Sequence, residues 1–268
     1  MSQSDTVAQE GRMISIQDVS KRYGESEEAV QALSDIDIDI AENEFVSIVG
    51  PSGCGKTTLL HLVAGLLDPS TGRIAIDDTD VQSSDFQKSF LGLVFQHPVL
   101  LEWRTVQKNI MLPIQIMHRN GDLDEDVEYY RERTQELIDL VGLEGFEDSY
   151  PQELSGGMQQ RVSICQSLVY DPKILLMDEP FGSLDALTKD HLNEELLDIW
   201  RETSKTIVFI THDLDEAVFL SDRVLVMSSR PGTVLEDVHV DLPRPRTSEV
   251  RGSEAFIETS SHLYSYFR

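Results

Sequence analysis

The stretch Gly50-Pro-Ser-Gly-Cys-Gly-Lys-Thr57 narrows the folds open to this chain more than any other. It fits GxxxxGK[ST] and lies between EFVSIVG at 44–50, which reads as a buried strand, and KTTLLHLVAGLL from Lys56, which reads as a helix. Glycine lets the backbone turn tightly, so that its N–H groups point into one anion-sized hollow, and the dipole of the following helix adds positive potential there. Gly50, Pro51, Ser52, Gly53, Cys54, Gly55, Lys56, Thr57 and Thr58 are therefore expected around the phosphates of a nucleotide. Lys56 is expected to reach the β- and γ-phosphates, and the Thr57 hydroxyl to enter a Mg²⁺ shell.

Such a turn belongs to an α/β fold. Apolar runs at 91–95 (LGLVF), 174–177 (ILLM), 206–210 (TIVFI) and 223–227 (RVLVM) are mostly separated by helical patterns, as in a parallel sheet covered on both faces. MISIQDV at 13–19 and DIDIDI at 35–40 predict an antiparallel opening, the second alternating Asp with Ile36, Ile38 and Ile40. From about 98 to 160 the strand signal gives way to helical patterns, notably at 124–141 with Tyr130, Leu137, Ile138 and Val141. This predicts a helical insert. The first eleven residues read as a flexible start, and the segment from 241 as an extension holding one helix.

Two further sites carry chemistry. The run Ile174-Leu-Leu-Met-Asp178-Glu179 delivers Asp178 at the carboxyl end of a strand, where it can hold Mg²⁺, with Glu179 beside it to orient or deprotonate an attacking water. Leu154-Ser-Gly-Gly-Met-Gln-Gln-Arg161 opens a helix with Ser155 as N-cap. The Gly156-Gly157 pair weakens that helix start with no evident packing gain, which points to an anion over its N–H groups.

LSGGMQQR resembles the signature of ATP-binding-cassette ATPases, and the likeness extends over about residues 12 to 240. It implies a P-loop NTPase (RecA-like) core with an N-terminal antiparallel β subdomain and an inserted α-helical subdomain. Tyr23 resembles the aromatic that stacks on adenine, Gln96 the glutamine loop that touches metal and water, Asp185 in Ser183-Leu-Asp the loop between protomers, and His212 the switch histidine. Taken singly, Tyr23 also suits a core, Gln96 a solvated loop and His212 a capped turn. The resemblance further implies a homodimer with ATP sandwiched between the P-loop of one protomer and Ser155, Gly156 and Gly157 of the other. It implies a polytopic membrane permease as partner and, indirectly, an extracytoplasmic solute-binding protein. Leu100-Leu-Glu-Trp-Arg104, Pro231 and Leu242-Pro-Arg-Pro-Arg246 resemble the nitrate, sulfonate and taurine importer subfamily, with Glu102 in place of a proline. Where the family commonly has Ala-Arg-Ala, this chain has Cys165-Gln-Ser167, which predicts altered packing without loss of hydrolysis. Trp103 has two readings, a wall of a permease groove or an anchor of the insert to the core.

Composition separates the remaining alternatives. The chain has 268 residues, with 48 acidic against 22 basic residues and a net charge of -26, and no Lys/Arg stripe for a phosphate backbone. Nucleic acid is not an expected partner. A soluble cassette ATPase of DNA repair would carry coiled-coil arms or basic surfaces, and one of translation usually has two cassettes, whereas a single P-loop and signature occur here. The dispersed acids suit a halophilic protein, in which salt screens self-repulsion, or a merely acidic one. No apolar run reaches the roughly 18 residues of a membrane span, and no secretory signal is evident, so the expected place is peripheral, on the cytoplasmic face of the membrane. Cys54 and Cys165 form no ligand pattern. Cys54 lies where a thiol reagent could block the nucleotide, unless the position merely tolerates a small side chain.

Overall fold

The computed structural model describes residues 11–24, 29–123 and 125–267, so the N-terminal start expected to be flexible lies, but for Gly11, outside the described residues. The described residues fall into two compact units, one made of the chain up to Lys88 together with Ser204 onward, the other of Ser89–Thr203.

In the first unit β1 (Arg12–Tyr23), β2 (Val30–Ala41), β4 (Thr71–Ile76) and β5 (Thr79–Asp80) form an antiparallel sheet in the order β2-β1-β4-β5. The Asp/Ile alternation sets its register. Ile36, Ile38 and Ile40 are buried opposite Val19, Ile16 and Ile14, while Asp35, Asp37 and Asp39 face solvent. Next to it in sequence β3 (Phe45–Val49) is buried at every position and pairs in parallel with β8 (Thr206–Ile210) and β9 (Arg223–Met227), and β10 (Val234–His239) closes on β9 antiparallel. A strand flanked by strands and buried on both faces needs a nearly continuous apolar run, and FVSIV supplies it, its one polar residue, Ser47, being paired with the Ser221 hydroxyl. Three helices complete the unit, α1 (Lys56–Val63), α7 (Leu214–Leu220) and α8 (Glu254–Ser265). The strands β4 and β10 show no period in the sequence: β4 opens with three exposed residues, and Leu235 of β10 is half exposed.

In the second unit β6 (Leu91–Val94) and β7 (Ile174–Asp178) pair in parallel, Val94 opposite Met177. Five helices accompany them, α2 (Val106–Ile110), α3 (Leu112–Asn120), α4 (Val127–Leu140), α5 (Gly156–Leu168) and α6 (Ala186–Thr203). Asp126 caps α4, accepting from the Tyr129 N–H, and α4 buries Tyr130, Thr134, Leu137 and Ile138 along one stripe. Asn109, fully buried, ties down the loop before α2: its amide oxygen accepts from Leu101 N at 2.8 Å and its nitrogen donates to the carbonyls of Leu101, Arg104 and Thr105. Among the described residues no helix is long and apolar enough to cross a membrane.

Candidate functional site

In the first unit the chain leaves β3 at Gly50 and enters α1 at Lys56. Gly53 (φ 74°) and Gly55 (φ 112°) take left-handed backbone here, where a side chain would be strained. The Lys56 ammonium is folded into the turn, donating to the carbonyls of Gly50 at 2.9 Å and Pro51 at 3.4 Å, and the residue is only 6% exposed. Pro51, Ser52, Gly53 and Thr57 are exposed, and Thr58 is half buried. Cys54 is 1% exposed, with its sulfur packed towards Gly50, which agrees with the reading of a position that takes a small side chain and not with a thiol open to reagents.

The segment Ser228–Gly232 buttresses this loop from outside. Arg230 donates through Nε and Nη2 to the Gly53 carbonyl at 3.2 and 3.0 Å. Gly232 stands so close that a Cβ there would lie 2.2 Å from the Cys54 carbonyl oxygen, and its own backbone bonds Ala32 and Ser34 of β2. Sequence reasoning used this SSRPG run only as a subfamily mark; the signal for a backbone approach was its lone glycine after a strand.

Tyr23 is not a core residue. It is 43% exposed, its hydroxyl 3.4 Å from Thr58 Oγ1 and the Lys21 ammonium 5.3 Å from its ring centre. His212 is exposed on the turn between β8 and α7. That turn is tied to α7 on both sides: Asp213 caps the helix, accepting from Glu216 N at 3.1 Å, and the Thr211 hydroxyl donates to the Glu216 carboxylate while accepting from Asp213 N at 3.0 Å.

In the second unit the β6–β7 register carries Gln96 and Glu179 out at the same end, each two residues beyond the last pair, Val94 and Met177. Glu179 sits in left-handed backbone (φ 45°), which turns its carboxylate off the line of β7. A Cβ placed on Gly182 would lie 3.4 Å from Gln96 Nε2 and 3.5 Å from Glu179 Oε2, so amide and carboxylate converge on one point that glycine leaves open. Asp178, ending β7, is partly buried.

The signature opens α5 as expected, with Ser155 Oγ accepting from Met158 N at 3.3 Å. Its glycines do have a packing reason, which corrects the expectation that they lack one. A Cβ on Gly157 would press to 3.0 Å on Thr188 Cγ2, and one on Gly156 to 3.3 Å on Leu184. Asp185 accepts from the Thr188 hydroxyl at 2.7 Å and from its N–H at 3.1 Å, bonds that hold its carboxyl below the usual carboxylate range. Arg161 makes a two-pronged ion pair with Glu195 of α6. Beyond it, Cys165 is buried against the Leu137 carbonyl, and burial pushes its thiol up to about 12. The Gln166 amide donates to the Asn109 carbonyl at 3.1 Å, a neutral contact at the position where the family pattern has a cation, and the Ser167 hydroxyl turns back to Ile164 O. Trp103 is 74% exposed, against the reading of a buried anchor, and Arg104 beside it donates to Gln115 of α3 at 2.7 Å.

A family model described as ABC transporter matches residues 33–182. An uncharacterized ABC transporter ATP-binding protein of Methanocaldococcus jannaschii is 44% identical over 261 residues, covering 96% of this chain and 93% of that protein. An aliphatic sulfonates import ATP-binding protein, SsuB of Bacillus cereus, is 41% identical over 254 residues, 95% of each chain. Among solved structures, a dimeric ATP-binding cassette in a post-hydrolysis state with ADP and Pi matches with TM-score 0.73 and 32% identity, covering 86% of this chain and all of that one. A protein of Clostridium perfringens, part of the ABC transporter complex cbiONQ, matches with TM-score 0.76 and 26% identity over 97% of this chain and 96% of its own.

Proposed function

The chain belongs to the ABC transporter family, and on that premise we propose that it is the ATP-hydrolysing subunit powering a membrane importer of a small anion, with sulfonate, nitrate or taurine as the candidate class. Import and solute are supported by relatives named as aliphatic sulfonates import proteins. Residues 12–240 are taken as the cassette, with the helical subdomain inserted at about 98–160 and an extension at 241–268.

The observation that carries the hydrolytic reading is the meeting of Gln96 and Glu179 at Gly182. A carboxylate and an amide at one open point can hold a water between them, the carboxylate taking its proton as the water attacks the γ-phosphate. The backbone N–H groups of residues 50 and 52–58 grip the phosphates, with Pro51 shaping the turn, Lys56 turns from its own loop carbonyls to phosphate oxygens, and Tyr23 offers its exposed ring to adenine. His212 donates to the γ-phosphate. Thr57, Gln96 and Asp178 are the residues that would hold Mg²⁺. All three present an oxygen, the donor that a hard divalent cation takes, and such a cation keeps places for phosphate and water. When bound it neutralises charge on the β- and γ-phosphates.

Two copies are required in this reading, Ser155, Gly156 and Gly157 of one closing over the γ-phosphate at the P-loop of the other, with Asp185 at the boundary. Solved relatives that are dimeric cassettes support it. Peripheral attachment at the cytoplasmic face follows from a permease docked near Trp103. A groove of about 270 Å³ lined by Met111, Ile114, Gln115, His118, Arg119 and Val127 lies in the same unit, joined to the Trp103 loop through Arg104 and Gln115. A solute-binding protein would act on the far side, and the acidic surface would suit a saline cytosol. The test is Glu179→Gln. It should bind MgATP, release phosphate at least about a hundredfold more slowly, as expected for loss of a general base, and accumulate an ATP-bound dimer in sedimentation. Near-normal phosphate release would remove Glu179 from that role.

A further inference from the structure

We propose that Arg246, in the extension after β10, is a positioning residue for ATP hydrolysis: it locks the carboxyl end of α7 and thereby fixes the turn that carries His212. The proposal rests on the reading of His212 given above.

Helix α7 is a short rod with both ends tied. Six of its seven residues are buried, and its amino end is bonded to the His212 turn through Thr211, Asp213 and Glu216. At its carboxyl end the last carbonyls have no partner within the helix. Arg246 supplies one. It is 5% exposed, and its Nη1 donates to the carbonyls of Val218, Phe219 and Ser221 at 3.1, 3.0 and 2.7 Å. Its Nη2 lies 3.4 Å from the carbonyls of Val240 and Leu242, so one guanidinium joins the helix end to the strap leaving β10. Arg244 adds a second tie, to Leu220 O at 2.8 Å and Asp222 at 2.7 Å.

Packing alone does not account for this choice. None of the hydrogen bonds Arg246 makes is to a carboxylate, and an apolar side chain of the same size would fill the space without stripping a cation of water. What a planar fork of donors adds over bulk is orientation: its Nη1 and Nη2 meet five carbonyls from two segments, while the buried Nε has no partner. Burial, with Arg244 beside it, pushes its pKa down to about 10, so the charge that favours a helix carboxyl end is retained at neutral pH. The rest of the extension follows the same rod. The Arg251 guanidinium lies 4.4 Å over the Phe219 ring, and α8 buries Phe256 and Leu263 in a helix that packs on α7. A shift at the carboxyl end of this seven-residue helix passes to its amino end, because six of its residues are packed in the interior.

The experiment uses the full-length dimer with Arg246→Met, Arg246→Lys, His212→Ala and the Arg246→Met/His212→Ala double variant. Arg246→Met should lower kcat by about tenfold to a hundredfold, the cost of misplacing a reacting group by an ångström, with the KM and the affinity for ATP unchanged, because the phosphate loop is held by other contacts. Arg246→Lys should recover part of kcat. In the His212→Ala background Arg246→Met should cost nothing more. Losses that multiply in the double variant, or a fall in ATP affinity matching that in kcat, would overturn the proposal. If His212→Ala turns over normally, the premise about His212 fails, a result read without reference to Arg246. Should Arg246→Met not fold, Arg251→Ala decides: faster amide exchange at residues 211–214 with a partial loss of kcat supports the linkage, and unchanged exchange and kcat refute it.

Discussion

Substituting Gly232 by Ala tests whether the phosphate loop is held from outside. The new Cβ would lie 2.2 Å from the Cys54 carbonyl oxygen, 2.9 Å from Met227 Cε and 3.1 Å from Leu33 Cδ2. The Met227 and Leu33 contacts are ends of flexible side chains and can give way. The carbonyl belongs to the loop itself, and ordinary contact begins near 3.4 Å, so more than an ångström must be found. Gly232 cannot easily retreat, because its N–H donates to Ala32 O at 2.9 Å and its carbonyl accepts from Ser34 N at 3.0 Å. Overpacking of this kind costs about 1–3 kcal/mol. In a domain of this size that lowers Tm by about 2–4 °C per kcal/mol. If the loop moves, the strain must also be overcome when the phosphates are gripped, and each 1.4 kcal/mol so required weakens ATP binding about tenfold. Calorimetric melting and ATP titration of the same preparation read both. Arg230→Ala is the companion, since it removes the guanidinium from Gly53 O without adding bulk and should weaken ATP binding less. A Gly232→Ala protein with the parental Tm and ATP affinity would refute the buttress.

Trp103→Ala removes a side chain that is 74% exposed, so stability should change by no more than about 0.5 kcal/mol, while co-purification with a membrane permease is lost. An unfolded variant would return Trp103 to the role of an anchor, and persistent co-purification would move the docking surface elsewhere. With 48 acidic and 22 basic residues, the chain should also gain thermal stability from low to molar salt, as the screening length falls from about 10 to about 3 Å. A melting temperature that is flat or falls across the salt series would reject the saline adaptation.

What could be read from the sequence was what repeats or punctuates locally. β3, β7, β8 and β9 announced themselves as short apolar runs, β2 as a strict alternation, and α1 by the glycine turn that precedes it. The strands β4 and β10 did not, because TGRIAI and VLEDVH carry too few apolar positions to show a period. The candidate site divides in the same way. Gly50 to Thr58 and Ser155 to Gly157 stand in spacings that can be recognised before any fold is known. The convergence of Gln96 with Glu179 across 82 intervening positions, the approach of Gly232 to Cys54, and the grip of Arg246 on α7 depend on pairings that no local window contains. Exposure was the least legible property: Tyr23 and Trp103 are both aromatic, and only the fold showed that each faces solvent.

The buttress behind the phosphate loop bears on how fast nucleotide comes and goes. A glycine-rich loop left to itself samples many conformations, and a ligand that must gather them binds slowly and loses affinity to the ordering. Here Arg230 fixes the Gly53 carbonyl, Gly232 backs the Cys54 carbonyl, and Met227 crowds Gly50, so the ordering is completed when the protein folds. Encounter with nucleotide then asks little of the loop backbone, and the Lys56 side chain, which must leave the carbonyls of Gly50 and Pro51, is what has to move. A loosened Arg230 or a crowded Gly232 would return part of that ordering to the binding step, and is expected to slow arrival as well as hasten release.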